Sequence, residues 1–374
     1  MTGTVAGHGP AARDLLERTA ELVAIPSVSH EETAIADHVT AAVAGCPWLT
    51  VERVGDNVVA RTTGGRSRRM LVAGHLDTVP PAGNEIPRIE GDALWGLGAC
   101  DMKGGLAVML DLATTVAEPA VDVTWCFYTC EEVARAESGL GRLWEERPEL
   151  LVADVAVVPE PTDGRVEAGC QGTMRIAVHL CGVRAHTSRP FAGRNAIHRL
   201  GPVLERVARW KGRRVELDGC TYVEQLQAVL VDGGVAANVV PDRVDLTLNH
   251  RYAPDRDAAA AEAALGEVFA GLVDPALGDR VAVVDAADGA PPSLGDPVLA
   301  ALVARSGAPP RAKVAWTDVA RIWAHGIPGA NFGPGDPLLA HHPDEHVTRS
   351  SLEHVRDVLQ HLLAGEPGTG PAPG

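Results

Sequence analysis

An α/β protein with an inserted second domain is predicted by three observations: strands alternate with helices in the first 170 or so residues, hairpin-like strands take over from Gly172, and the chain runs to 374 residues. That length exceeds what one hydrophobic core usually supports, so two domains are expected. The first, residues 1–172 with 288–374, should hold a mixed, largely parallel sheet flanked by helices. The second, residues 173–287, should be a small α+β unit.

The elements follow from local patterns. Leu15, Leu16, Leu22 and Val23, then Ile35, Val39 and Val43, recur at helical spacing, and Ile25-Pro26 divides them into two helices. Val51–Ala60, Arg69–Ala73, Val121–Thr129 and Asp154–Val158 read as β-runs, with helices over Gly104–Val116 and Leu140–Arg147 between them. In the insert, Met174–Leu180, Gln225–Val231 and Arg243–Asn249 read as strands, and Asn195–Ala208 and Asp257–Leu272 as helices. The Pro/Gly-rich stretch Asp285–Pro297 marks the exit, and helices near Pro297–Arg305 and Ser351–Leu363 return to the first domain. Residues 1–10 and Gly365–Gly374 are expected to be poorly ordered. No internal repeat is visible.

Composition narrows the function classes. Apolar residues make up 46% and charged residues 22%, enough for packed cores. The formal charge of −16 is that of a surface that repels polyanions, which argues against nucleic acid or an anionic membrane as partner. Seven dispersed cysteines without a C-x-x-C pair suggest reduced, mostly buried thiols. With no signal-peptide pattern and no apolar run of the ~20 residues that span a bilayer, a cytoplasmic protein is expected.

The chemistry lies just beyond the strands. Leu71-Val72-Ala73 runs into Gly74-His75-Leu76-Asp77-Thr78, Val121–Thr129 into Cys130-Glu131-Glu132, and Asp154–Val158 into Pro159-Glu160-Pro161, while Asp101 opens the helix at Gly104. Open parallel sheets gather their ligand sites at the carboxyl ends of strands. Any one of these residues has a plain structural role available: Asp101 could cap a helix, and Glu131-Glu132 could favour a helix N-terminus. Together they place one acid after each strand. Such a cluster repels itself unless a divalent cation neutralises it, and histidine with carboxylates is a ligand set zinc accepts. Five or six ligands exceed the roughly three that one catalytic zinc takes from protein, so a second metal is expected. A nucleotide site is disfavoured, because no G-x-G-x-x-G follows a strand and Gly96-x-Gly98 leads to Asp101 instead.

Gly74-His75-Leu76-Asp77-Thr78-Val79-Pro80, Gly98-x-x-Asp101-Met102-Lys103-Gly104-Gly105, Glu131-Glu132 and Pro159-Glu160-Pro161-Thr162 resemble the ordered signature blocks of the M20 metallopeptidase family. Gly139-Leu140-Gly141-Arg142, Gly169-Cys170-Gln171-Gly172-Thr173 and Asn331-Phe332-Gly333-Pro334-Gly335-Asp336-Pro337 are similar to its actinobacterial desuccinylases. The resemblance implies a zinc exopeptidase-like first domain and a lid and dimerisation insert. It further implies two Zn2+, with Co2+ able to substitute, bridged by Asp101. His75 and Glu160 would complete one metal's ligands, Glu132 and His341 the other's. Of the pair His341-His342, it is His341 that stands four residues before a glutamate, Glu345, as the family pattern has it. Asp77 would orient His75, and Glu131 would be the general base.

In the insert, Gly182-Val183-Arg184-Ala185-His186-Thr187-Ser188 resembles a lid segment whose histidine, here His186, reaches the partner subunit of a homodimer. Asn238 would contact substrate or the oxyanion, Arg251 and Thr317 the substrate, and more weakly Arg194 and Arg321 a substrate carboxylate. The implied reaction removes succinyl from the small molecule N-succinyl-L,L-2,6-diaminopimelate, giving succinate and L,L-diaminopimelate for lysine and cell-wall synthesis. Related deacylases of the acetylornithine type, peptidases and succinyl-amino-acid desuccinylases of specialised pathways share these ligands and stay open, as does a metal-binding scaffold without catalysis. Two departures stand out: Leu97 replaces a polar or basic residue, and Trp316-Thr317-Asp318-Val319-Ala320-Arg321 replaces a glycine-richer loop where substrate would be read.

Overall fold

The computed structural model describes residues 14–365, so the expectations for residues 1–10 and for the tail beyond Gly365 lie outside the described residues. The chain divides into two compact units. One comprises the chain through Ala168, Ser293–Arg311 and the chain from Arg321 onward; the other comprises Gly169–Pro292 and Ala312–Ala320.

The first unit is built on one mixed sheet. Asp122–Tyr128, Arg69–His75, Val155–Val158 and Gly329–Asn331 lie side by side in that order, all parallel. The hairpin Leu49–Val54/Asn57–Thr62 continues the sheet antiparallel on one side, and Glu167–Ala168 on the other. Val51–Ala60 is not the single β-run that its sequence predicts. Gly55, at φ +60°, and Asp56 instead fold it into a two-residue hairpin turn, for which a glycine in the left-handed region is suited.

All seven residues of Asp122–Tyr128 are buried, as are all four of Val155–Val158, the continuous burial that parallel strands covered on both faces require. Gly104–Thr115 is the central helix, buried from Gly104 to Ala113. Leu15–Val23, Thr33–Ala44 and Arg349–Ala364 pack around it. Asp14 caps the first of these by accepting the N–H groups of Leu16 and Glu17.

Strand register fixes where the loops emerge. His75 is level with Tyr128, and Val158 is level with Asn331. The segments beginning at Leu76, Thr129, Pro159 and Phe332 therefore leave the sheet at one end.

The second unit holds a four-stranded antiparallel sheet in the order Gln225–Gly233, Arg243–Tyr252, Gly172–Cys181, Arg280–Ala287, backed by the helices Ala196–Arg209 and Ala258–Phe269. Alternate residues of Arg243–Tyr252, from Val244 to Tyr252, are buried, which is why its period of two was visible. Arg280–Ala287 was not anticipated: it is a mostly exposed edge strand with a near-continuous apolar run, and its last residues overlap the Pro/Gly-rich stretch.

Candidate metal centre

His75 is the last residue of its strand and is almost wholly buried. Its Nε2 lies 3.2 Å from Asp101 Oδ1 and 4.0 Å from Glu160 Oε1. The other carboxylate oxygen of Asp101 lies 3.5 Å from His341 Nε2, which sits 2.9 Å from Glu132 Oε1. Two triads result, His75–Asp101–Glu160 and Asp101–Glu132–His341, each with its donor atoms within 4.8 Å of one another, and they share Asp101. Glu131 joins His75 and Glu132 in a third such group. His342 faces elsewhere: its Nδ1 accepts the N–H of Asp344 at 3.1 Å.

These donors fit divalent cations. Two imidazoles and three carboxylates form the mixed N/O set zinc takes, and separations of 2.9–4.0 Å suit ligands placed about 2.0–2.2 Å from a shared ion. The local field is strongly negative. Full burial alone would lower the pKa of His75, yet the carboxylates of Asp101, Asp77 and Glu160 hold it well above the usual value. The hydrogen bond to Glu132 raises that of His341 to about 9, against partial burial.

Asp77 is fully buried and has several tasks. Its Oδ1 accepts the N–H of Glu131 and its Oδ2 the N–H of Glu132, both at 3.0 Å; Oδ2 also accepts Ser29 Oγ at 2.7 Å. Burial would raise its pKa, but His75 and the two N–H groups hold the carboxyl well below the usual range. The imidazole Nδ1 of His75 is nearer the main-chain oxygen of Asp77, at 3.0 Å, than its carboxylate, at 3.5 Å. Residue 77 thus meets the ring chiefly through its carbonyl, while its carboxylate cradles the Glu131–Glu132 loop.

Two residues of the site occupy the left-handed region despite bearing side chains: Cys130, at φ +57°, and His341, at φ +63°. Such conformations cost of order 1–3 kcal/mol and persist where surrounding contacts impose them. At Cys130 the contact is Glu32, whose buried carboxylate accepts the Cys130 N–H at 3.0 Å.

Sequence reasoning used Glu345 only to choose between histidines, yet it is a buried part of the site. Its carboxylate accepts the N–H groups of Gly98, Cys100 and Asp101, and burial nonetheless pushes its pKa up to about 7. The Asp101–Met102 peptide is cis.

The remaining candidates belong to the second unit, apart from Arg321. His186 is exposed, and its Nδ1 accepts the N–H of Ser188 at 3.1 Å, a tautomer that leaves the proton on Nε2. The carbonyl of Asn238 accepts the N–H of Thr187 at 3.1 Å, which keeps Asn238 beside the His186 loop. Arg251 Nε donates to Asn249 at 3.1 Å, and burial lowers the pKa of this guanidinium. Thr317 is buried with no protein partner for Oγ1, and Arg194 Nε is likewise buried without one. Arg321, in the first unit, donates to the carbonyl of Arg135 at 3.1 Å and lies so near Gly141 that a Cβ there would sit 2.7 Å from its Nη1.

An open, largely parallel sheet whose carboxyl ends gather histidines and carboxylates in this way places a candidate divalent-metal site in an α/β domain. The chain belongs to the peptidase family M20/M25/M40, whose profile matches residues 71–365. It is 51% identical over 353 residues to a Mycobacterium tuberculosis protein provisionally named succinyl-diaminopimelate desuccinylase DapE, covering 94% of this chain and 98% of that one. Identity to the succinyl-diaminopimelate desuccinylase of Corynebacterium glutamicum is 44%, covering 94% and 96%. Among solved structures, a Staphylococcus aureus tripeptidase superposes with a TM-score of 0.78 at 22% identity, covering 94% of this chain and 97% of that one. An M20 metallo-carboxypeptidase of Sulfolobus solfataricus does so with 0.73 at 17%, covering 94% and 99%. At those identities the structures establish the fold alone.

Proposed function

We propose that this protein hydrolyses the amide bond of N-succinyl-L,L-2,6-diaminopimelate, releasing succinate and L,L-diaminopimelate, at a centre of two zinc ions. The observation that carries the reading is the pair of triads sharing Asp101 with Glu131 beside them, in a chain so similar to desuccinylases. His75, Asp101 and Glu160 would hold one ion, and Asp101, Glu132 and His341 the other. Bound there, the ions would polarise the scissile carbonyl and lower the pKa of a water.

Glu131 takes the proton from the attacking water and returns it to the departing amine as the C–N bond breaks. Asp77 keeps Glu131 in place through its N–H. Arg251, with Arg194, is suited to bidentate pairing with substrate carboxylates, and Thr317 Oγ1 and Asn238 to hydrogen bonds. Trp316–Arg321 favours a second reading, in which the acyl group or amine differs and the product serves a specialised pathway.

The lid role of His186 and a homodimer complete the proposal. Support comes from the exposed imidazole and from the edge strand Gln225–Gly233, where Val229, Leu230 and Val231 are all at least half exposed. An unpaired apolar edge is a liability that isologous pairing removes. His186 would then offer its N–H to the oxyanion in the partner's site. A cytoplasmic location fits seven free cysteines, six of them buried. No helix of the described residues is long and apolar enough to cross a membrane.

The test is to incubate zinc-loaded protein with N-succinyl-L,L-diaminopimelate, N-acetylornithine and a dipeptide panel, following free amine. Turnover of the first substrate, abolished by chelation and restored by zinc, is expected. Preference for another panel member would overturn the substrate assignment, and activity undiminished in protein shown to be metal-free would overturn the metal centre.

A further inference from the structure

The loop that carries Asp101 cannot satisfy its own backbone. Ala99–Lys103 is a single irregular turn in which Asp101 (φ −119°, ψ 95°) and Met102 (φ −128°, ψ 37°) leave helical geometry. The N–H groups of Gly98, Cys100 and Asp101 converge instead on one side chain. Glu345 Oε2 accepts from Gly98 at 3.0 Å, and Oε1 accepts from Cys100 and Asp101 at 2.9 Å each. Gly98 can turn its N–H this way because it sits at φ +76°, where a Cβ would approach Thr78 Cγ2 to 2.7 Å.

The main chain of Glu345 joins the same web. Its carbonyl accepts the N–H of Gly96, and its own N–H donates to the carbonyl of His342, both at 3.0 Å. Asn84 binds both sides as well, its Nδ2 donating to the carbonyl of His342 at 3.3 Å and its carbonyl accepting the N–H of Leu97 at 2.7 Å. The segment of His341 and the loop of Asp101 are therefore clasped together, with Glu345 at the centre and only 1% exposed.

We infer that Glu345 is a positioning residue that fixes Asp101 and His341 relative to each other and so sets the metal affinity of the Asp101–Glu132–His341 triad. The inference rests on the metal-centre reading above. A carboxylate suits the task because three N–H donors converge on it, and when ionised it is an acceptor-only group with two oxygens. A glutamine would turn its NH2 toward one of the three N–H groups. The effect should be unequal between the triads. Asp101 serves both, but His341 serves one, while His75 and Glu160 follow directly from strands of the central sheet.

Metal-free wild type, Glu345→Gln and Glu345→Ala are titrated calorimetrically with Zn2+, alongside thermal melts of the metal-free proteins. Outer-shell partners of metal ligands typically govern about 10–100-fold in affinity, so one binding step should weaken about 10-fold in Glu345→Gln and about 100-fold in Glu345→Ala, the other step much less. Raised zinc should return both variants to near wild-type kcat, a rescue that a catalytic role for Glu345 would not allow. Wild-type affinity at both steps, or equal weakening of both, overturns the inference. If Glu345→Ala does not fold, Glu345→Gln decides alone, and loss of the folded metal-free protein in both assigns Glu345 to scaffolding and also overturns it. Wild type that fails to bind two metals refutes the underlying metal-centre reading, a failure recognisable because it does not depend on the variants.

Discussion

Replacing Asp77 by asparagine tests what its buried carboxylate does. The carboxylate accepts three hydrogen bonds, from the N–H groups of Glu131 and Glu132 and from Ser29 Oγ. Asparagine has one oxygen. If that oxygen takes the Oδ2 position, the bonds to Glu132 and Ser29 survive, and the new NH2 faces the N–H of Glu131. One charge-assisted bond, about 1.5–3 kcal/mol, is lost and a partly buried N–H is left without an acceptor, about 1–3 kcal/mol more; the two overlap, so about 2–4 kcal/mol of stability should go. Glu131 is the residue displaced, and misplacement by about 1 Å costs on the order of 10²-fold in rate. Metal content should stay near wild type, because His75 Nδ1 lies nearest the main-chain oxygen of residue 77, which asparagine keeps. Urea unfolding of metal-free protein, kcat and metal content give the three readouts. Stability within about 0.5 kcal/mol of wild type, together with lost metal, would refute this and show that the carboxylate acts on His75 instead.

Glu131→Gln should lose about 10²–10⁴-fold in kcat, the range for a general base, and keep its metal by elemental analysis, whereas Glu132→Gln should lose metal. In the second unit, Asp279 is buried and accepts from Arg199, from the Cys181 N–H and from the Asp274 N–H. Asp279→Asn leaves Arg199 without its counter-charge and should cost about 2–4 kcal/mol in denaturant titration at neutral pH. Burial would raise the pKa of Asp279, but Arg199 and the two N–H groups hold it at about 2, below the ordinary 3.8. Its contribution is therefore complete above about pH 4, and the difference between wild type and Asp279→Asn should shrink as pH falls toward 2. Inactive His186→Ala and Glu131→Gln proteins, mixed under conditions where subunits demonstrably exchange, should regain activity in heterodimers; continued inactivity would place His186 in its own subunit's site.

Much of the fold was legible because burial writes periodicity into sequence. Arg243–Tyr252 buries alternate residues and Gly104–Thr115 is apolar from Leu106 to Leu110, so both were found close to their true limits. Arg280–Ala287 escaped because an edge strand with little burial has no alternation to read. The turn at Gly55 was lost between two valine-rich segments read as one run, though a glycine followed by an aspartate was the available signal.

The chain by itself determined the inventory: one acid or histidine directly after each of several strands, a histidine four residues before a glutamate, and the chemistry those types can perform. Tertiary structure decided which of them meet. Asp101 lies between His75 and His341 because strand register and the 98–101 loop bring together residues up to 266 positions apart (341 − 75). Division of labour was decided there as well. Asp77 turned out to serve the Glu131–Glu132 loop chiefly with its carboxylate, and Glu345 to hold a loop 244–247 residues away. Such roles depend on where backbone N–H groups point, and that direction is set by φ and ψ in the folded loops rather than by any spacing of side chains along the chain.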